Sequence, residues 1–459
     1  MQNAERNLTQ GSVFKNLIIF GLPMLLSNVI QALYNVADIL IVGRFNGPVG
    51  ISGVNIGGQV TFLMTMMVIG FSIGGSVIIA QYVGAKKQDK IKETISTLII
   101  MLAAAAVLIT ATMLIISTPI LHLINTPAES FSEARAYLNI TIIGVIFVFL
   151  YNAMSAIMRG LGDSKTPMLF VSIACGLNIV LDLILVGVFR MAAAGAAYAT
   201  IISQAVSVVL CVIRLKKYNS LFDFKIHSFK FNTEQFKLLL KIGIPNSIQN
   251  VITNISFLFL NSLANSFGVM ASAAVGIVGK FNSFAIMPAL AISSSISTLS
   301  AQNMGARMIE RAKKTFYIGL VLSLAISIPI FLISRFFPAQ ILGLFDDTPE
   351  MINAGVLYME SFTYQYLLIP FLFCLNGLIT GSGHTLFTAV NNVASALLLR
   401  IPLAYLLGII FDLGIPGIAM SIPLSTFGAI IVLGAYFVSG KWKVNKIIKN
   451  IPSIEPEVI

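Results

Sequence analysis

The sequence predicts an all-α polytopic membrane protein, with twelve transmembrane helices in two parallel, pseudo-symmetric halves of six. Three observations predict it. The 459 residues are 57% hydrophobic and 10% charged, whereas soluble domains run at about 45–50% apolar and ~25% charged, so too few charges remain to cover a soluble surface. Apolar runs of bilayer-spanning length, ~20 residues, recur along the whole chain. The chain also repeats itself at a spacing of 221–222 residues.

Apolar runs between charged or Gly/Pro breaks place the spans in order. The first, 14–43, carries Pro23, which removes a backbone hydrogen bond and is expected to bend it, and Asp38, ~8 Å from its outer end at 1.5 Å per residue. Spans 50–81, 94–117 and 133–156 follow. Span 166–189 carries Asn178 and Asp182, four residues apart on one face, with Asp182 ~9 Å from the outer end. Span 192–213 places Thr200 ~12 Å deep. The second half repeats the pattern over 236–262, 269–300, 314–334, 351–378, 386–410 and 415–438, with Lys280 near mid-bilayer and Glu360 and Arg400 each ~13 Å from the outer face. Runs of this length exclude the ~10-residue alternating strands of an outer-membrane barrel.

Charge position sets topology. With the N-terminus in the cytoplasm, 23 of the 29 basic residues fall on cytoplasmic ends and loops, four outside and two within spans, as the positive-inside rule requires. The net charge of +11 is therefore a topology signal and not a nucleic-acid signal. Both termini are expected to be cytoplasmic, and the first span is expected to remain attached, because it is too long for a signal h-region.

Gly21-Leu22-Pro23 recurs as Gly243-Ile244-Pro245, Ala80-Gln81 to Gly84-Ala85 as Ala301-Gln302 to Gly305-Ala306, Thr126-Pro127 as Thr348-Pro349, Gly160-Leu161-Gly162 as Gly381-Ser382-Gly383, and Gly195 as Gly417. The expected organisation is a first half over 1–213, a basic linker over 214–235, a second half over 236–440 and a tail over 441–459. Two parallel halves with a cleft between them suit alternating access.

Ionisable groups within a bilayer are costly and mark function. Asp38 and Asp182, at matched depth in one half, make a candidate cation or proton site with Asn178 and Thr200, since oxygen ligands suit a hard cation and adjacent carboxylates at low dielectric need a proton or cation between them. Glu360 and Arg400 are expected to form a structural ion pair or to gate substrate. Lys280 is either a counter-ion across the cleft or snorkels into a wet cavity. Met64, Met66, Met67, Met154 and Met158, with Phe62, Phe71, Tyr34 and Phe281, are candidates to line an adaptable apolar cavity that attracts organic cations.

No enzyme constellation survives. Gly70-Phe71-Ser72-Ile73-Gly74 fits a nucleophile-elbow pattern but lies inside a span. Gly160 to Thr166 resembles a phosphate loop but lacks the Gly directly before Lys165, so ATP-driven transport by this chain is not expected. His122, His227 and His384 are scattered and imply no metal cluster, and the three cysteines imply no disulfide framework.

The doubled Gly-x-Pro and Ala-Gln-x-x-Gly-Ala segments, with Leu33-Tyr34-Asn35-Val36-Ala37-Asp38 and Leu177-Asn178-Ile179-Val180-Leu181-Asp182, resemble the multidrug and toxic compound extrusion (MATE) family over roughly residues 12–440, its prokaryotic DinF-like branch above all. The resemblance implies a MATE-like fold in a prokaryotic inner membrane, and a monomer with no cofactor. It also implies export of small organic, often cationic, compounds against entry of H+ or Na+. Position by position, Asp38, Asn178, Asp182 and Thr200 match the family's cation site, Pro23 its proposed bending point, and Gln31 and Tyr34, with Asn35 beside them, cavity-facing positions. Relatives that couple through the second half carry a carboxylate in helix 7. The stretch Gln249 to Asn254 here has none. The alternative reading is a flippase or exporter of a lipid-linked or other amphipathic metabolite.

Overall fold

A computed structural model describes residues 7–217, 222, 224–345 and 347–448. Residues 1–6, with Arg6 of the charge pattern, and parts of the linker and tail, with Lys449, lie outside the described residues. Among those described there is no strand.

The first helical stretch runs Val13–Gly84, 72 residues broken only at Gly47 (φ 63°, ψ −160°). At 1.5 Å per residue it would measure ~108 Å unbroken, several times the ~30 Å hydrocarbon core. A left-handed φ is readily available only to glycine, and Pro48 next to it has the fixed φ that suits a helix start. The chain folds back there, and Gly43 and Gly50 lie against Ile51 and Asn46 across the turn. This gives α1 (13–46) and α2 (48–84). The others are α3 (Gln88–Leu123), α4 (Ala128–Gly160), α5 (Lys165–Val188, ending in a π-helical turn from Leu183), α6 (Ala192–Lys216) and α7 (Thr233–Asn265). Then come α8 (Val269–Ala285 with Met287–Gly305, bent by 40°), α9 (Ile309–Phe336), α10 (Pro349–Phe362 with Gln365–Gly381, bent by 46°), α11 (Thr385–Ile410) and α12 (Gly414–Val438).

These match the twelve expected spans. Pro288, in the first turn of the second α8 segment, accounts for the break in that helix. α7 is long enough to cross but less apolar than the others, because Ser247, Gln249, Asn250, Thr253, Asn254 and Ser256 all lie on it. Pro23 does not interrupt α1, whose dihedrals stay helical as far as Gly47, and the Ser27 hydroxyl donates to the Pro23 carbonyl at 2.9 Å.

One apolar core joins α2, α3, α4 and α6, and others join α7, α8, α10 and α12. Two helices cross over at their starts. Leu8, Val13, Leu17 and Phe20 pack with Ile296, Leu299 and Leu433 of the second half, while Leu239 and Ile242 of α7 pack into the core of the first. Asn232 caps α7, accepting from the Glu234 and Gln235 amides at 3.0 and 3.1 Å, and donates to Glu93 of α3 at 2.9 Å.

The halves touch at the end that carries the termini. There Gly84 abuts the Gln302 carbonyl, Gly305 the Gln81 carbonyl, and Gly243 the Phe71 ring. Toward the opposite end, a Cβ on Gly58 of α2, or on Gly276 or Gly279 of α8, would meet nothing within 4 Å. The first segment of α8 packs chiefly on α7 and α10 of its own half. The halves are therefore closed together at the terminal end and apart at the other.

Candidate cation site and its relatives

The site lies in the first half, between α1, α4, α5 and α6. Asp38 stands two turns before the Gly47 reversal, and Asp182 is the last α-helical residue before the π-helical turn of α5. A π-helical turn re-aims the side chains beside it and recurs at functional sites. The two carboxyl groups are direct neighbours. Asp38 is 6% exposed and Asp182 0%. Asp38 Oδ1, both Asp182 oxygens and Asn178 Oδ1 are buried and accept no hydrogen bond from a described residue.

Around them, the Tyr34 hydroxyl and Thr200 Oγ1 are 2.8 Å apart, and Asn178 Nδ2 donates to Thr200 Oγ1 at 3.5 Å. The structure thus brings Asp38, Asn178, Asp182 and Thr200 together and adds Tyr34, whose hydroxyl turns inward. Sequence reasoning missed Tyr137. This α4 residue is 7% exposed, lies within electrostatic reach of both carboxylates, and has its ring against Gly57 of α2. An aromatic residue inside an apolar run carries no signal that separates it from packing.

The arrangement is a cluster of oxygen ligands with unsatisfied lone pairs in a low-dielectric setting, a chemistry that takes a proton or a small hard cation. Among the described residues no group of three or more His, Cys, Asp or Glu side chains is placed to hold a metal.

Two expectations, the methionine-lined cavity and the Glu360–Arg400 pair, are corrected, and Gln31, Asn35 and Lys280 are placed. Met64, Met154 and Met158 are 5%, 3% and 0% exposed and belong to the core of the first half; they pack against their own helices' neighbours and line no open face. Gln31 and Asn35 are exposed, one turn apart on α1. Glu360 and Arg400 do not pair. Glu360 is exposed on α10, and its carbonyl accepts from Arg335 at 2.8 Å. Arg400 faces inward, donating to Ser256 at 2.9 Å and Ser425 at 3.4 Å. Depth matched, but helix face did not. Lys280 is exposed, on the α8 segment whose Gly276 and Gly279 face open space.

The family model for MatE matches residues 23–184 and again 245–406. The chain belongs to the MatE family. Both copies open on a proline, Pro23 and Pro245, the positions at which the repeat first shows in the sequence. The Bacillus subtilis (strain 168) protein named "Probable multidrug resistance protein YpnP" is 28% identical over 441 residues, covering 96% of this chain and 98% of that protein. The Thermotoga maritima protein named "Probable multidrug resistance protein NorM" is 26% identical over 434 residues, covering 94% and 93%. A solved structure described as the outward-facing conformation of a MATE family multidrug transporter superimposes with a TM-score of 0.88 at 22% identity, covering 98% of this chain and 99% of that one. MATE in its bent conformation gives 0.89 at 23%, covering 97% and 98%. This chain is accordingly a multi-pass membrane protein of a multidrug efflux transporter family, with the MATE fold.

Proposed function

We propose that this MatE protein exports organic, chiefly cationic, compounds by antiport with H+ or Na+ through alternating access. The observation that carries the proposal is the Asp38–Asp182 pair, with three of its four carboxylate oxygens buried and without a donor. Two adjacent carboxylates at low dielectric repel unless a proton or cation lies between them, so occupancy changes the packing of α1 against α5. α1 also begins in the core of the second half, so a change at Asp38 reaches both halves through one helix. Pro23 lies between those two attachments and is the natural place for α1 to yield. With the terminal end taken as cytoplasmic from its basic loops, the closed end faces the cytoplasm and the open end faces outward. Asp38, Asp182, Asn178, Thr200 and Tyr34 hold the coupling ion, and the exposed α1 face of Gln31 and Asn35 meets substrate.

The test uses purified protein in liposomes, with efflux of a fluorescent organic cation driven separately by a pH gradient and by a sodium gradient. Transport under one gradient, abolished by Asp38→Asn with insertion intact, is expected and names the ion. Undiminished efflux by Asp38→Asn overturns the coupling role.

A further inference from the structure

Because the two MatE copies are displaced by 222 residues at both ends, each member of the cation site has a counterpart in the second half. The register holds around the site: Gly195 lies against Leu185 and Gly417 against Leu407, the same contact 222 residues on. In that register Tyr34 corresponds to Ser256, Asn178 to Arg400, Asp38 to Leu260 and Asp182 to Ala404. Leu260 and Ala404 are 2% and 0% exposed, in the core of the second half. Both carboxylates are thus replaced by buried apolar side chains, and a guanidinium stands where the first half has an amide.

We infer that the second half holds an anion site centred on Arg400, opposite in polarity to the cation site, which takes one carboxylate, phosphate or halide group. The partners of Arg400 support this, because all of them are neutral. Its Nη1 donates to Ser256 Oγ at 2.9 Å and its Nε to Ser425 Oγ at 3.4 Å. Those hydroxyls spend their own protons on the Thr253 and Ile422 carbonyls, at 2.7 and 2.9 Å, so they serve Arg400 as acceptors without charge. The guanidinium carbon lies 4.7 Å from the centroid of the Phe257 ring, which again supplies no charge. Nη2 donates to no described residue, and it is not among the atoms sealed from solvent.

A guanidinium at membrane depth with only neutral partners is expensive, and intramembrane charges are retained where they serve a ligand or a partner. The backbone is shaped for this one: α11 adopts a π-helical turn over Ser395–Arg400 that ends on the arginine itself, and a second over Leu406–Ile410. Planar guanidinium donors suit carboxylate and phosphate, and the adjoining Phe257 and Leu260 suit an apolar tail. The anion is either a free inorganic ion or the acidic group of an amphipathic transported compound. That second source rests on the export reading above. The site itself does not.

Binding is read without transport, on purified protein in neutral detergent, as the unfolding temperature at fixed sodium concentration. Chloride and benzoate are titrated in turn, with Arg400→Gln at matched ionic strength as the reference. A saturable rise with chloride or benzoate, lost in Arg400→Gln and kept in Asp38→Asn, is the expected result. Competition between the two anions assigns the site to the acidic group of an organic compound, and a response to chloride alone assigns it to the free ion. No saturable response in the wild type, or an equal response in Arg400→Gln, overturns the site. Arg400→Lys, which keeps the charge, guards against misfolding of the glutamine variant. Its response is expected to persist at about tenfold weaker affinity, the loss of one charge-assisted hydrogen bond, and unchanged affinity also overturns the proposal. Failure here leaves cation-coupled export standing, and failure of export under both gradients leaves the anion site standing.

Discussion

Gln81 and Gln302 stand at equivalent positions of the two halves and grip each other's half in the same way. Gln81 Nε2 donates to the Gly381 carbonyl at 2.8 Å and Gln302 Nε2 to the Gly160 carbonyl at 3.2 Å. Gly160 and Gly381 are themselves repeat equivalents. Both glutamines are 0% exposed, and Gln302 Oε1 also accepts the Leu8 amide at 3.0 Å. A pair of crossed, buried hydrogen bonds thus holds the terminal end shut and must break for that end to open.

Removing either donor leaves a buried carbonyl without its partner, a cost of about 1–3 kcal/mol on the closed state. Gln81→Ala and Gln302→Ala are each expected to raise the population open at the terminal end. The measurement is the labelling rate of a Ser297→Cys reporter, in a background free of the three native cysteines, by a membrane-impermeant thiol reagent applied from the terminal side. Unchanged labelling in both variants would remove the latch.

Glycine contacts give a sharper contrast. A Cβ on Gly84 or Gly305 would fall on the carbonyl of Gln302 or Gln81, and backbone cannot step aside as a side chain can. Gly305→Ala is expected to block closure, at roughly 1–3 kcal/mol or more for overpacking. Gly276→Ala meets open space and should gain about 0.5–1 kcal/mol from helix propensity. Thermal unfolding in detergent checks both, and destabilisation by Gly276→Ala would mean that the α8 face is covered.

Much of this architecture is legible in the sequence, because run length and charge position are one-dimensional signals. Twelve apolar runs become twelve helices, and the paired Ala-Gln-x-x-Gly-Ala segments become the paired latch. Which face a residue presents is less legible. Met64, Met154 and Met158 look the same whether they line a cavity or fill a core, and here they fill the core of the first half. Glu360 and Arg400 share a depth but not a direction. Tyr137 reaches the carboxylates from α4 only because Gly57 lets the two helices close on each other, a contact that no local spacing announces.

Thr200 links the site's amide and phenol. Thr200→Val keeps the shape and removes the oxygen that meets Tyr34 and Asn178. The apparent affinity for the coupling ion is expected to weaken about tenfold, one hydrogen bond's worth in a charged site, with maximal efflux less affected. The check is the ion concentration giving half-maximal efflux in liposomes. An unchanged value would place Thr200 outside the ion's ligands.

His384, between α10 and α11, ties the C-terminal segment down. Nε2 lies 2.7 Å from the Val444 carbonyl and Nδ1 2.6 Å from the Tyr436 hydroxyl. Burial, more than the nearby Lys446, holds its imidazole below the usual value of 6.5, and the bond to Val444 opposes that only in part. The unfolded chain therefore takes up this proton at a higher pH than the folded one. The stability due to neutral His384 is fully present above 6.5 and is lost as pH falls through the lower folded value. Acidification should loosen the segment after α12. Limited proteolysis of that segment between neutral and mildly acidic pH measures it, with His384→Asn, which cannot titrate, as the reference. Cleavage that rises equally on acidification in both proteins would assign the pH response to other groups.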